Sequence, residues 1–334
     1  MRFRIGMVTL GLAAVTASAG AQGAAANANC TGLTADACQQ VVDLFNYMVP
    51  QLGTGLAGGN TTLAQGGNMG GRTLGLMPKF AIDVRINAVM GNIPVLVAPA
   101  LTLPGDVAPP AKRPFATTTS FVALPAFDVA IGVFKGIPVG VSSVGGVDLL
   151  LSAAYVPTVD LDKISVTPDS PFKFGYGVRV GLLKEGLVAP GVGFSFIQRA
   201  LPKTTITGIA GSGVTATSVA IKDLDLKAKS WRLTVSKSLL LFGLAAGVGQ
   251  DMNSASTAIT IAAPSPVPVK SFTGLKQDVT RTNYFVDVSM NLLILKIVAT
   301  GGMVSGGDIF TYNTFDTAPD KSRTYASVGV RFGL

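Results

Sequence analysis

The 334 residues contain no histidine, one tryptophan (Trp231), two cysteines, and a single glutamate (Glu185) among 18 acidic residues. Without an imidazole there is no Ser-His-Asp or Cys-His nucleophile, no histidine acid or base and no histidine metal cage. The usual hydrolase mechanisms are excluded, and no enzymatic activity, metal or cofactor is expected. Aspartate favours turns and glutamate favours helices, so the near-absence of Glu argues against a large helical protein. Charge is also scarce: 13% of the chain is charged, against roughly 25% in an ordinary soluble domain. Long apolar runs are missing as well. Beyond the first 21 residues none reaches the 18 or so that a membrane-spanning helix requires.

What is present is glycine, 40 residues of it, and a mean hydropathy of +0.49. At the amino end, Arg2 and Arg4 precede an apolar stretch from Ile5 to Val15 and the small-residue sequence Ala19-Gly20-Ala21. This is the layout of a cleaved secretory signal peptide over residues 1–21. Export makes one local disulfide the simplest use of Cys30 and Cys38, contributing roughly 2–3 kcal/mol by loop closure. The spacing is not that of a redox pair, and nothing completes a metal site.

An exported, apolar chain without a spanning helix has one consistent architecture: a β-barrel, whose strands cross a bilayer with no unpaired backbone edge. The periodicity agrees. Phe80, Ile82, Val84 and Ile86 alternate with Ala81, Asp83, Arg85 and Asn87. Phe174, Tyr176, Val178, Val180 and Leu182 alternate with Gly175, Gly177, Arg179 and Gly181. Tyr284 to Leu292 and Trp231 to Ser236 repeat the pattern. The last strand, Tyr325-Ala-Ser-Val-Gly-Val-Arg-Phe-Gly-Leu334, puts Val328, Val330, Phe332 and Leu334 on one face. It resembles the carboxy-terminal strand of bacterial outer-membrane β-barrel proteins, which ends in an aromatic or apolar residue; here Phe lies two residues before a terminal Leu. The resemblance implies a Gram-negative outer-membrane location. It also implies recognition by the barrel assembly machinery and contact with outer-membrane lipid and lipopolysaccharide.

Alternating short turns and long loops give ten strands, at residues 72–88, 115–135, 146–156, 172–183, 188–200, 219–237, 239–250, 281–292, 293–304 and 322–334. An additional hairpin inside the Pro-containing stretch 251–280 would make twelve. The expected fold is therefore all-β: a transmembrane antiparallel up-and-down barrel of about 10–12 strands, occupying residues 72–334. Residues 22–71 form a separate segment. In it, Thr34 is placed to cap a helix carrying Val41, Val42, Leu44, Phe45 and Met48 and ending at Pro50. This segment is either a plug entering the lumen, as in fatty-acid-channel-type transporters, or a periplasmic helix or tether.

By parity, Asp83, Arg85, Asp128, Asp148, Arg179, Arg232, Asp287, Lys296 and Arg331 line the lumen. They form either an interior salt-bridge network filling a narrow barrel or the lining of a pore for a polar solute. Two pairs, Asp160/Asp162 and Asp223/Asp225, have strand spacing but Lys neighbours, so they read as solvated strand ends and not as Ca²⁺ ligands. Lys112, Arg113, Lys203, Lys270, Lys276, Arg281, Lys321 and Arg323 recur toward the outer rim, where lipopolysaccharide phosphates lie. Their dispersal away from aromatics argues against nucleic acid. Passive passage of a small solute or hydrophobic compound is the expected role; the alternative is a closed structural or adhesive barrel.

Overall fold

The computed structural model describes residues 23–60, 62–69, 72–73, 77–95, 110–140, 142–161, 164–210, 217–262 and 269–333. The expected signal peptide and Leu334 lie outside these residues. Among the described residues, ten strands close into one antiparallel ring: β1 (Phe80–Pro94), β2 (Thr117–Phe134), β3 (Gly146–Tyr155), β4 (Phe172–Leu183), β5 (Gly191–Ala200), β6 (Thr217–Leu239), β7 (Phe242–Ala262), β8 (Lys270–Leu292), β9 (Leu295–Ser305) and β10 (Arg323–Gly333). Each pairs with its chain neighbour, and β10 pairs with β1, Val330 opposite Val84. The wall begins at Phe80, eight residues later than the alternation suggests. Arg72–Thr73 instead pairs with Met77–Pro78 in a short ladder of its own.

The ring is hydrophobic outside and polar inside. Ile86 is 53% exposed, while its neighbours Arg85 and Asn87 are each 1% exposed. The same inversion runs along β4, β8 and β10, where Phe174, Val288 and Val328 face outward and Arg179, Asp287 and Ser327 are buried. Water on the outer face would leave this apolar belt unburied, whereas lipid is its natural solvent. No helix among the described residues is long and apolar enough to cross a membrane.

Short turns join the strands at one end of the ring. Leu239 to Phe242 and Leu292 to Leu295 are the tightest. Long connections lie at the other end. There β6, β7 and β8 run well past the apolar belt, and the short strands Thr204–Ala210, Ile164–Pro168 and Val159–Leu161 extend the sheet beside them. Much of the 251–280 stretch is thus a continuation of β7 and β8. It adds no strands to the ring, which stays at ten.

One α-helix, α1 (Ala35–Ala57), lies inside the ring. Thr34 occupies its N-cap position but makes no side-chain cap bond. The helix does not end at Pro50. Proline supplies no N–H for the carbonyl four residues back, but the wall does: Gln277 Nε2 donates to Asn46 O at 2.8 Å. Replacing Gln277 with Leu leaves that carbonyl without this donor. The expected cost is about 1–3 kcal/mol, read as a lower unfolding midpoint by heat-modifiable gel migration. The outer half of α1 packs Val41, Val42, Phe45 and Val49 against Ile221, Leu224 and Leu226 of β6 and Ala255, Ile259 and Ile261 of β7. These wall residues belong to the extensions of the two strands.

Candidate functional site: a charged lumen threaded by an uncharged segment

The helix and the residues after it traverse the lumen from the long-loop mouth to the short-turn mouth. At the long-loop mouth, Asp36 meets the Arg113 guanidinium at 2.9 Å. Asp43 accepts from the backbone N–H groups of Tyr312 and Asn313 at 3.0 and 2.9 Å. Burial pushes the Asp43 carboxyl above its ordinary pKa, and the hydrogen bonds from Asn313 and Tyr312 offset only part of that. Tyr47 donates to Thr317 O at 3.1 Å and stacks on Phe315 with ring centroids 4.4 Å apart. The Cys30–Cys38 disulfide holds the residues just before and inside the first turns of α1.

Mid-lumen, the wall caps the helix carboxy end. The last turn of a helix leaves its carbonyls without intrahelical partners and carries partial negative charge. α1 has no basic residue of its own there. Asn87 Nδ2 donates to Gly55 O at 3.0 Å, and Arg232 Nη2 to Ala57 O at 3.0 Å. Arg85 Nη1 donates to Asn60 O at 2.9 Å. The tail then continues downward. Asp287 accepts from Asn60 Nδ2 and Ala64 N, at 3.0 and 3.1 Å, and from Thr300 Oγ1 at 2.7 Å. Arg179 reaches Gln65 O at 3.2 Å, and Asp148 accepts from Met69 N.

Near the short-turn mouth the fit is steric. A Cβ on Gly66 would lie 2.8 Å from Gly191 O and 2.9 Å from Thr234 O, and one on Gly193 would fall onto the carbonyl oxygen of Gly66. Glycine at these positions allows tail and wall backbones to touch.

The wall also pairs its own charges. Asp128 bridges Arg85 and Arg199 at 2.9 Å each. Asp148 takes Arg179 at 2.7 Å, and Asp251 takes Arg232 at 2.5 Å together with Ser230 and Asn283. Asp83 is the loose member: its nearest cation, Arg331 Nε, is 3.7 Å away, and neither carboxylate oxygen has a hydrogen bond.

Asp83, Arg85, Asp128, Asp148, Arg179, Arg232, Asp287 and Arg331 are all buried inside the ring, and Lys296 is half-buried beside them. Four further interior charges escape the sequence reading: Arg199, Asp251, Arg281 and Arg323. Arg281 and Arg323 are read from sequence as rim residues, yet both point inward. Arg281 donates to the carbonyls of Gly306 and Lys321, and Arg323 donates to Asn92 and the Tyr47 hydroxyl. Of the acidic pairs, Asp160 accepts from Ser165 and Asp225 pairs with Lys227, while Asp162 lies outside the described residues. Among the described residues no cluster of three metal-ligating side chains forms.

No family model matches this chain, and no curated protein does. Among solved structures, the translocator domain of the autotransporter NalP from Neisseria meningitidis is 10% identical, with a TM-score of 0.38, covering 92% of this chain and 99% of that one. The CymD monoaromatic hydrocarbon channel is 10% identical, with a TM-score of 0.22, covering 78% and 89%. A FadL homologue of Pseudomonas aeruginosa is 10% identical, with a TM-score of 0.19, covering 84% and 98%.

Proposed function

We propose that this chain is an outer-membrane β-barrel that passes a small polar solute passively, with its own amino-terminal segment as the closure. One observation carries the reading. The wall pairs most of its buried charges within itself, while the lumenal segment after Asp36 carries a single charged residue, Asp43, as far as position 71. A buried charge that loses its partner is costly. A closure that contributes so little charge strands few wall charges when it leaves: Arg113 loses Asp36, and Asp287 keeps Thr300. Among the interior side chains of the wall, which are what an open lumen would present, the basic Arg85, Arg179, Arg199, Arg232, Arg281, Arg323 and Arg331 outnumber the acidic Asp83, Asp128, Asp148, Asp251 and Asp287. Anions are therefore the favoured solutes.

The apolar packing of the outer half of α1 favours a second reading, a barrel shut for good. Planar-bilayer recording separates the two. The mature chain should show a quiet baseline, and deletion of residues 23–71 should give resolved channels with an anion-selective reversal potential in a KCl gradient. A deleted barrel that folds and stays silent supports permanent closure.

We propose outer-membrane lipid, lipopolysaccharide and the barrel assembly machinery as its partners. Lys229 and Lys227 are exposed on β6, two and four residues outward of Trp231. There they would meet lipopolysaccharide phosphates. β10, with Val328 and Phe332 outward, would be the strand read by the assembly machinery.

A further inference from the structure

The direction in which the segment threads the lumen has a consequence beyond closure. Near its start, Thr31 O accepts from the ammonium of Lys270, the first residue of β8 at the long-loop end. Asn27 N–H donates to Gln39 Oε1 at 2.7 Å, tying the residues before the disulfide to the outer turns of α1. Asp36, Asp43 and Tyr47 then engage the long connections between β1 and β2 and between β9 and β10, at Arg113, Asn313 and Thr317. At the far end, Asn68 Nδ2 donates to the carbonyl of Phe134, the last residue of β2, at the short-turn mouth. The wall starts at that same mouth, where Ala81 of β1 pairs with Gly333 of β10.

In barrels of this kind the short turns face the periplasm and the long loops face outward. Both ends of the wall then lie inside, and the described residues ahead of α1 lie outside. We infer that the barrel holds its amino-terminal segment across the membrane and displays the residues around Cys30 on the outer face of the cell. A signal peptidase releases the mature terminus into the periplasm, so the wall must either close around the segment or let it pass outward. The composition of residues 58–71, small, uncharged and glycine-rich, suits such a passage. Nothing in this inference requires the lumen ever to conduct.

The test is an epitope inserted after Ala25, and separately after Ala28, in the full precursor expressed in Gram-negative cells. A third chain carries the epitope between Leu293 and Ile294, in the short turn joining β8 to β9. Antibody binding to intact cells is compared with binding after the outer membrane is permeabilised, for chains whose heat-modifiable migration shows a folded barrel. The amino-terminal epitopes should bind on intact cells, and the turn epitope only after permeabilisation. If one amino-terminal insertion prevents folding, the other decides. Binding of a folded amino-terminal insertion only after permeabilisation overturns the inference, and leaves the conductance expected of the deleted barrel unaffected.

Discussion

Replacing Asp128 with Ala should destabilise the barrel by about 3–5 kcal/mol, the cost of removing one partner from a buried ion pair. Asp128 sits between two guanidinium groups, Arg85 Nε and Arg199 Nη2, both at 2.9 Å and both on fully buried side chains. Arg199 retains Ser152 Oγ at 3.0 Å, and Arg85 retains carbonyls of the tail. Among the described residues neither arginine keeps an acidic partner at ion-pair distance. Urea titration in detergent should show the loss as a lower midpoint with little change in slope. Removing Arg199 as well should recover part of it, because residues in one network couple. A single Asp128→Ala change within experimental error of the wild type would mean that the lumen is wet enough to screen these charges.

The second large effect concerns the tail. Replacing Gly193 with Val should open the full-length protein, turning a quiet bilayer trace into resolved current steps. Gly193 lies on β5 with its α-carbon against the carbonyl of Gly66, and the site has no room for a Cβ. The strand type itself tolerates a β-branched residue, and the nearest wall atom, the carbonyl oxygen of Val180, would be 3.3 Å from the new Cβ, so most of the strain falls on the tail. Heat-modifiable migration should persist, showing that the ring survives. A Gly193→Val barrel that folds normally and remains silent would show that the contact between Gly66 and the wall is not what closes the short-turn mouth.

Much of this architecture is legible in the chain because lipid and lumen impose opposite demands on alternate residues. Where the outer face meets lipid, the period of two is plain. The boundaries of β4 at Phe172–Leu183 coincide with the alternation. Where the strands rise past the belt, both faces meet polar surroundings or the segment inside, and the pattern fades. Residues 251–262 read Asp-Met-Asn-Ser-Ala-Ser-Thr-Ala-Ile-Thr-Ile-Ala, small or polar on both faces through their first half except at Met252, and pass for a loop. They are the outer part of β7. Asp251 is lost to the site by the same silence.

Arg199 is different. It shares parity with Ser195, opposite Phe194 and Phe196, so the signal is present on β5. The path of α1 is the least legible part. Pro50 marks a helix end in isolation, and only the Gln277 side chain, more than two hundred residues away, explains why the helix goes on. Likewise, the glycines of the tail look like a tether until the wall carbonyls they touch are known.

The central claim is that the apolar outer belt lies in lipid, and the lone tryptophan reports on it directly. Trp231 is on the outer face of β6, stacked with Phe194 of β5 at 6.0 Å, and its indole N–H donates to Gln250 on β7 at 3.2 Å. The measurement is the fluorescence of the unmodified mature protein in vesicles, with bromine carried on the acyl chains and iodide added to the water. Strong quenching by the brominated lipid and weak quenching by iodide is the expected result. Quenching by iodide alone, with the brominated lipid without effect, would contradict it.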